Sequence, residues 1–202
     1  SLYKNFDTNK HLTSVNNDFI WNSPSHITKK GFVNTFEGIV NNFNYEAKNT
    51  GDYKTEGTVN EVSSVLKYKS SLPLKKEEAF FSKIFSPTFM VRYAPGHMKN
   101  IKNESSGLKY ANLYSINKTS VIEDGLSAII GFDYKLNEKN EDGSSKEKLS
   151  FSLGQVFNHK KNERMPTKTS LNNERSDVVG ELNYNFSSIG KIDYKFSVDK
   201  NL

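Results

Sequence analysis

The feature that most constrains this chain is a strict alternation of apolar and polar residues, cleanest in its last third. Leu126, Ala128, Ile130, Phe132 and Tyr134 alternate with Ser127, Gly131, Asp133 and Lys135. After a polar run the pattern resumes with Leu149, Phe151 and Leu153 against Ser150, Ser152 and Gly154. It returns as Val178, Gly180, Leu182, Tyr184 and Phe186, and again as Ile192, Tyr194, Phe196 and Val198 opposite Lys191, Asp193, Lys195 and Ser197. Successive side chains of a strand point to opposite faces, so a period of two means strands with one apolar face and one wet face. Short polar gaps between such strands predict antiparallel neighbours. The functional question is which solvent the apolar face meets.

Earlier parts of the chain carry the same signal less evenly. A strand is expected around Val15 to Trp21, before the turn residues NSPS. From Phe32 to Ala47 the alternation changes phase near Gly38, which predicts a bulge there. Asn49-Thr50-Gly51-Asp52 reads as a turn. Val62, Leu66, Tyr68 and Leu72 share a face in a strand that Pro73 ends. LKKEEAFFSK reads as a short helical turn or a plain connection. Phe85, Pro87, Phe89, Val91 and Tyr93 form the apolar side of another strand, closed by Ala94-Pro95-Gly96. Residues 97–124 have little periodicity and read as a long loop, with a short strand at Leu113 to Ile116. The expected fold class is therefore all-β: an antiparallel meander of about eight or nine strands. No composition shift or fixed-period repeat divides it, so residues 1–202 read as one segment, and both ends look cut from something longer.

Composition narrows the solvent. Only 35% of residues are hydrophobic and the mean hydropathy is −0.69, and no run approaches the ~20 apolar residues of a membrane-spanning helix. A transmembrane barrel strand needs only every second residue apolar, so a hydrophilic average is compatible with spanning. The net charge of +5 comes from interspersed Lys and Glu rather than a basic stripe, which argues against nucleic acid as a partner. The absence of Cys excludes disulfides and thiolate metal sites within these residues.

No residue set argues for catalysis, a cofactor or a metal. Glu138, Asn140, Asp142 and Gly143 imitate a calcium loop, but Leu149 stands where the closing carboxylate belongs, and a turn is the better reading. Ser64 and Lys67 match S-x-x-K, yet they fall inside an alternating strand without the companion motifs. His11, His26, His97 and His159 lie in polar stretches with no ligand spacing. Arg175-Ser176-Asp177 is expected to pin a strand start by local hydrogen bonds.

Three stretches resemble the LptD family of lipopolysaccharide-assembly proteins, and in particular its alphaproteobacterial branch. FSPTFMVRYAPG (85–96) resembles a strand with an S/T-P opening and an Arg-Tyr-x-Pro close. NLYSINKTSVIEDGLSAIIGFDY (112–134) resembles the N-L-F-S-L-N-R segment, followed by an acidic-Gly pair and a strand containing Gly. LSFSLGQVF (149–157) and RSDVVGELNYNF (175–186) resemble the next strands, with their S-x-G-Q core and R-S-D entry. The resemblance implies an open, curved segment of a very large transmembrane β-barrel in the Gram-negative outer membrane. It implies lipopolysaccharide, outer-membrane lipid, a lumen-plugging LptE-like lipoprotein and, through a periplasmic domain with no counterpart here, bridge proteins as partners. Under this reading Arg92, Asp133, Lys135, Glu181, Asn183, Lys191, Asp193 and Lys195 face a hydrated lumen. Residues 94–124 and 158–176 would lie outside the cell, and 137–148 and 187–190 in the periplasm. Two readings remain beside it: a soluble β-sandwich for adhesion or carbohydrate binding, whose apolar faces pack on each other, and another porin-like barrel.

Overall fold

The computed structural model describes residues 2–5, 10–49, 58–105, 107–140, 143–186 and 190–201, with no side chains described before residue 10. Its strands are β1 (Leu2–Asn5), β2 (Lys10–Asn22), β3 (His26–Ile27), β4 (Val33–Lys48), β5 (Thr58–Ser71), β6 (Leu74–Glu77), β7 (Phe81–Ala94), β8 (Gly125–Lys139), β9 (Ser145–Asn158), β10 (Val178–Asn185) and β11 (Lys191–Val198). They form one antiparallel sheet in the order β1-β2-β4-β5-β7-β8-β9-β10-β11, with β3 on β4 and β6 on β7. Every strand on this path pairs with its neighbours along the chain, apart from the short β3 and β6, so the expected meander is present. The sheet is open and uncurled, with β1 and β11 at its edges, as suits a piece of a barrel wall. No helix among the described residues is long and apolar enough to cross a membrane. The six strands β2, β4, β5, β7, β8 and β9 run 13 to 16 residues, beyond the ~9–11 a tilted strand needs to span a bilayer.

Register gathers apolar residues from all the long strands into a band on one face. Phe19 pairs with Val40, Leu66 with Tyr93, Phe89 with Ile130, Phe132 with Leu153, Phe151 with Leu182, and Tyr184 with Ile192. Phe19, Trp21, Leu66, Phe89, Leu126, Ile130, Tyr184 and Ile192 are exposed there, Ile130 at 55%. Aromatic rings run across this face from Phe85 to Phe132 to Phe151 to Phe196, with centroids 5.3, 5.8 and 6.4 Å apart. Phe196 reaches Phe151 by lying over Gly180, where a Cβ would come within 2.3 Å of its ring. A second layer does not cover this face, so the sandwich reading fails: its apolar faces would have been packed together.

Several local expectations are corrected. The register of β4 runs through Gly38 without a shift, so there is no bulge; the phase change instead transfers apolar residues to the other face, where Tyr45 and Ala47 are buried. A bulge occurs between Leu136 and Asn137, opposite Lys148. It leaves Glu147 paired with Lys135 at 3.2 Å and Lys148 paired with Glu138 at 3.1 Å. The connection expected at 137–148 shrinks to 140–144, because both strands extend into it. Part of LKKEEAFFSK is a strand, β6, paired with the start of β7. Pro87 sits inside β7 where β5 gives way to β6, and its carbonyl accepts from the Leu72 amide at 3.0 Å. An antiparallel residue directs both backbone groups to the same neighbour, so the missing N–H of Pro87 falls at that break in the ladder. The turn expected at 49–52 lies outside the described residues apart from Asn49, whose φ is 54°. Residues 187–189 of the last turn also lie outside them.

Candidate functional site: the loop-covered inner face

The face opposite the apolar band carries the polar residues, and it also carries the core. Met90, Ile129, Val156 and Val179 project from β7, β8, β9 and β10 and are buried beneath Met98, Ile101, Leu108, Leu113, Met165 and Leu171. Those six come from the two connections 95–124 and 159–177. Both connections leave the sheet at the same end and fold back over this face. The short strand expected at Leu113 to Ile116 is replaced by a one-turn helix, α1 (Tyr110–Leu113), which packs on β9 and β10.

Two glycines make the floor on which this turn rests. Gly131 and Gly154 are directly opposed on β8 and β9. A Cβ on Gly154 would meet Leu113 Cδ2 at 2.3 Å, and one on Gly131 would meet the Tyr114 hydroxyl oxygen and the Leu153 carbonyl oxygen, each at 2.4 Å. Glycine inside a strand often marks close approach by another chain segment, and that signal was present in the sequence. Tyr114 is anchored from the other side. Lys67, ion-paired with Glu37 at 2.5 Å, donates to the Tyr114 carbonyl at 3.1 Å, and Lys69 lies 5.0 Å from the centre of its ring. Burial pushes the Tyr110 and Tyr114 hydroxyls well above the usual tyrosine range.

The residues that carry the family resemblance hold the two connections down. Arg92 is 1% exposed; its Nε donates to the Ile116 carbonyl and its Nη2 to Asn117 Oδ1 at 2.9 Å. Asn112 accepts from the Lys109 amide at 2.8 Å and donates to the carbonyls of Gly107 and Lys118. Glu123 accepts from the amides of Lys118 and Thr119 at 2.5 and 2.8 Å, and its second oxygen lies 3.7 Å from the buried Lys118 ammonium. Burial lowers the Lys118 pKa, and Glu123 opposes that shift. In the second connection, Ser176 is fully buried. Its hydroxyl accepts from the Val156 amide at 3.0 Å, its own amide donates to the Val156 carbonyl at 3.0 Å, and its carbonyl accepts from Gln155 Nε2 at 2.7 Å. The triplet thus pins the entry to β10, through bonds to β9 where local ones were expected. The connections also bind each other: the Ile101 amide donates to the Arg164 carbonyl at 2.9 Å, and the Leu108 amide to Thr169 Oγ1 at 2.7 Å.

All eight residues expected to face a lumen lie on this side of the sheet by register, but they divide into different surroundings. Arg92 is buried under the first connection rather than facing water. Asp133 is half-buried and accepts from Ser152 Oγ at 2.7 Å. Asn183 donates to Ser150 Oγ at 3.2 Å. Lys191 pairs with Asp193 at 2.9 Å and Lys195 with Glu181 at 3.8 Å, beyond the part covered by the loops, while Lys135 is exposed and paired with Glu147. Mixed signs thus neutralise one another along β8–β11.

The remaining motifs have structural explanations. Asn140 and Ser144 hydrogen-bond across a turn in which Gly143 takes φ 82°; Asp142 lies outside the described residues. Ser64 and Lys67 stand on opposite faces of β5, as a spacing of three in a strand requires. Among the described residues no group of three or more His, Asp or Glu side chains is placed to hold a metal ion.

An open antiparallel sheet with one bare apolar face, and the opposite face covered by its own loops, is consistent with part of the wall of a barrel, which meets lipid outside and encloses polar residues. No curated protein matches the chain. The family model described as LPS transport system D, LptD, matches residues 13–201, which takes in the whole of β2 to β11 apart from the first residues of β2. The chain therefore belongs to the LptD family, whose members transport and assemble lipopolysaccharide at the outer membrane.

Proposed function

We propose that this segment is wall of an LptD-type translocon, with its apolar face against outer-membrane hydrocarbon and its inner face toward the lumen through which lipopolysaccharide is delivered. The observation that carries this is the apolar band exposed on one face over strands from β2 to β11. Bands of that extent on soluble monomers are abnormal, and in water they would drive association. The connections that fold over the inner face narrow the lumen beside them, and the polar part formed by Glu181, Asn183, Lys191, Asp193 and Lys195 is left as the hydrated surface. Such a surface of balanced charge suits the passage of sugars better than selection of one ion. An LptE-like lipoprotein within the lumen, periplasmic bridge proteins, and an alphaproteobacterial origin are the further assignments that the motif resemblance supports.

The test is accessibility in a bilayer. Spin labels at Ile130 and Asp193 of the full-length protein, reconstituted in liposomes, should differ: position 130 should collide with dissolved oxygen, and position 193 with a water-soluble nickel chelate. A label at position 130 that meets the chelate as readily as one at position 193 would refute the lipid-facing assignment.

A further inference from the structure

At the end of the sheet where the two connections leave it, they enclose a cavity of about 400 Å³ between the close of β7, the start of β8 and the end of β9. Its charged lining consists of Arg92, Lys118, Lys160 and Lys161 against Glu123 and Asp124, an excess of two positive charges (four cations less two carboxylates). The two cations at its base are almost wholly buried. Arg92 spends its hydrogen bonds on neutral oxygens of Ile116 and Asn117, and it has no ion-pair partner among the described residues. Lys118 has only Glu123, at 3.7 Å, and one oxygen of that carboxylate is already committed to two backbone amides. Asp124 is engaged elsewhere, by Asn162 and by Arg164 at 3.7 Å. Lys160 and Lys161 are exposed at the mouth.

Buried cations are normally paired and hydrogen-bonded, because desolvating a charge without a partner costs several kcal/mol. Here the two carboxylates near the buried cations are both engaged by other groups as well, neither forms an ion pair with Arg92, and both cations border open space. The cavity is within the ~300–1,000 Å³ range of ligand pockets, larger than one inorganic anion requires. Guanidinium and ammonium groups converging on such a space recognise tetrahedral oxyanions, the first through a planar fork and the second as a point charge.

We propose that this cavity is a binding site for a phosphate-class oxyanion, either free phosphate or a phosphate carried on the sugars of a glycolipid. Only the second source rests on the transport reading given above. Arg92 and Lys118 form the base that contacts the anion, and Lys160 and Lys161 attract it at the entrance. The site would then hold a phosphorylated sugar at one end of the inner face.

The experiment is titration of the full-length protein in detergent with inorganic phosphate, followed by calorimetry. Wild type should bind saturably at one site per chain. Lys118→Met should weaken binding roughly tenfold or more, the effect of losing one charge-assisted bond. Because Lys118→Met also disturbs the fold around Glu123, the exposed pair Lys160→Gln/Lys161→Gln provides a second measurement. That variant should keep wild-type thermal stability and bind phosphate several-fold more weakly at low salt. Absence of saturable phosphate binding by wild type, or binding unchanged in both variants, overturns the site and leaves the transport assignment intact. Competition separates the sources. If lipopolysaccharide displaces phosphate and its dephosphorylated form does not, the glycolipid is the ligand. If neither displaces it, the oxyanion site stands and the glycolipid source is rejected.

Discussion

Leu113 rests on Gly154: its Cδ2 lies only 2.3 Å from where a Cβ on Gly154 would stand. This contact joins a residue of a loop to a strand forty-one positions later (154 − 113) and sets how closely the first connection lies on the sheet. A cross-strand glycine, Gly131, extends the same floor.

Gly154→Ala should therefore displace α1 and cost about 1–3 kcal/mol, the usual range for overpacking. Trimming the opposing side chain should relieve part of that cost, so Gly154→Ala/Leu113→Ala should be less destabilised than the sum of the single variants. Thermal unfolding of the full-length protein, followed by the electrophoretic shift of its folded barrel, measures the cycle. Strict additivity would mean that the two residues do not touch.

Glu123→Gln should leave the buried Lys118 ammonium without its partner and destabilise the folded connection by roughly 3–5 kcal/mol at neutral pH. The pH dependence has a definite sign. Burial already holds the Lys118 pKa below its ordinary value, and removing Glu123 lowers it further. The folded state then binds fewer protons than the unfolded chain, so stability rises with pH up to the unfolded lysine pKa of ~10.4. The deficit of Glu123→Gln should shrink between neutral pH and about pH 10. A deficit that grows with pH would reverse the assignment.

Ser176→Ala should leave the buried Val156 amide without its side-chain acceptor, at a cost of about 1–3 kcal/mol. Hydrogen exchange at Val156 should accelerate while exchange at Ile129, on the neighbouring strand, changes little. Equal acceleration at both amides would point to global loosening instead of loss of this bond.

Ile130→Arg places a charge on the apolar face, where it costs roughly 2–4 kcal/mol at the bilayer midplane. Lys135→Glu alters an exposed ion pair on the other face, a change generally worth no more than about 1 kcal/mol. Outer-membrane levels of the full-length protein should fall far more for Ile130→Arg. Equal losses would mean that the faces, or the solvent, have been assigned wrongly.

The alternation of Leu126 to Tyr134, Leu149 to Leu153 and Ile192 to Val198 was sufficient by itself to specify strands, their antiparallel order and which side chains share the apolar face. That information is local, because backbone pleating alone sends neighbouring side chains to opposite sides. The motif residues Arg92, Asn112, Glu123 and Ser176 were visible too, but not what they hold. Their partners are backbone groups of loops, and a loop folded over a sheet has no period to read. Only the tertiary structure decided that residues 95–124 cover the inner face, that Arg92 is buried instead of wet, and that Gly131 and Gly154 are a floor. The bulge at Leu136/Asn137 and the strand β6 likewise depend on pairing with neighbours, which no single strand records. Apolar residues of the loops, Leu108, Leu113 and Leu171 among them, find burial only against Met90, Ile129, Val156 and Val179 of four separate strands, so the core exists only once the sheet has assembled.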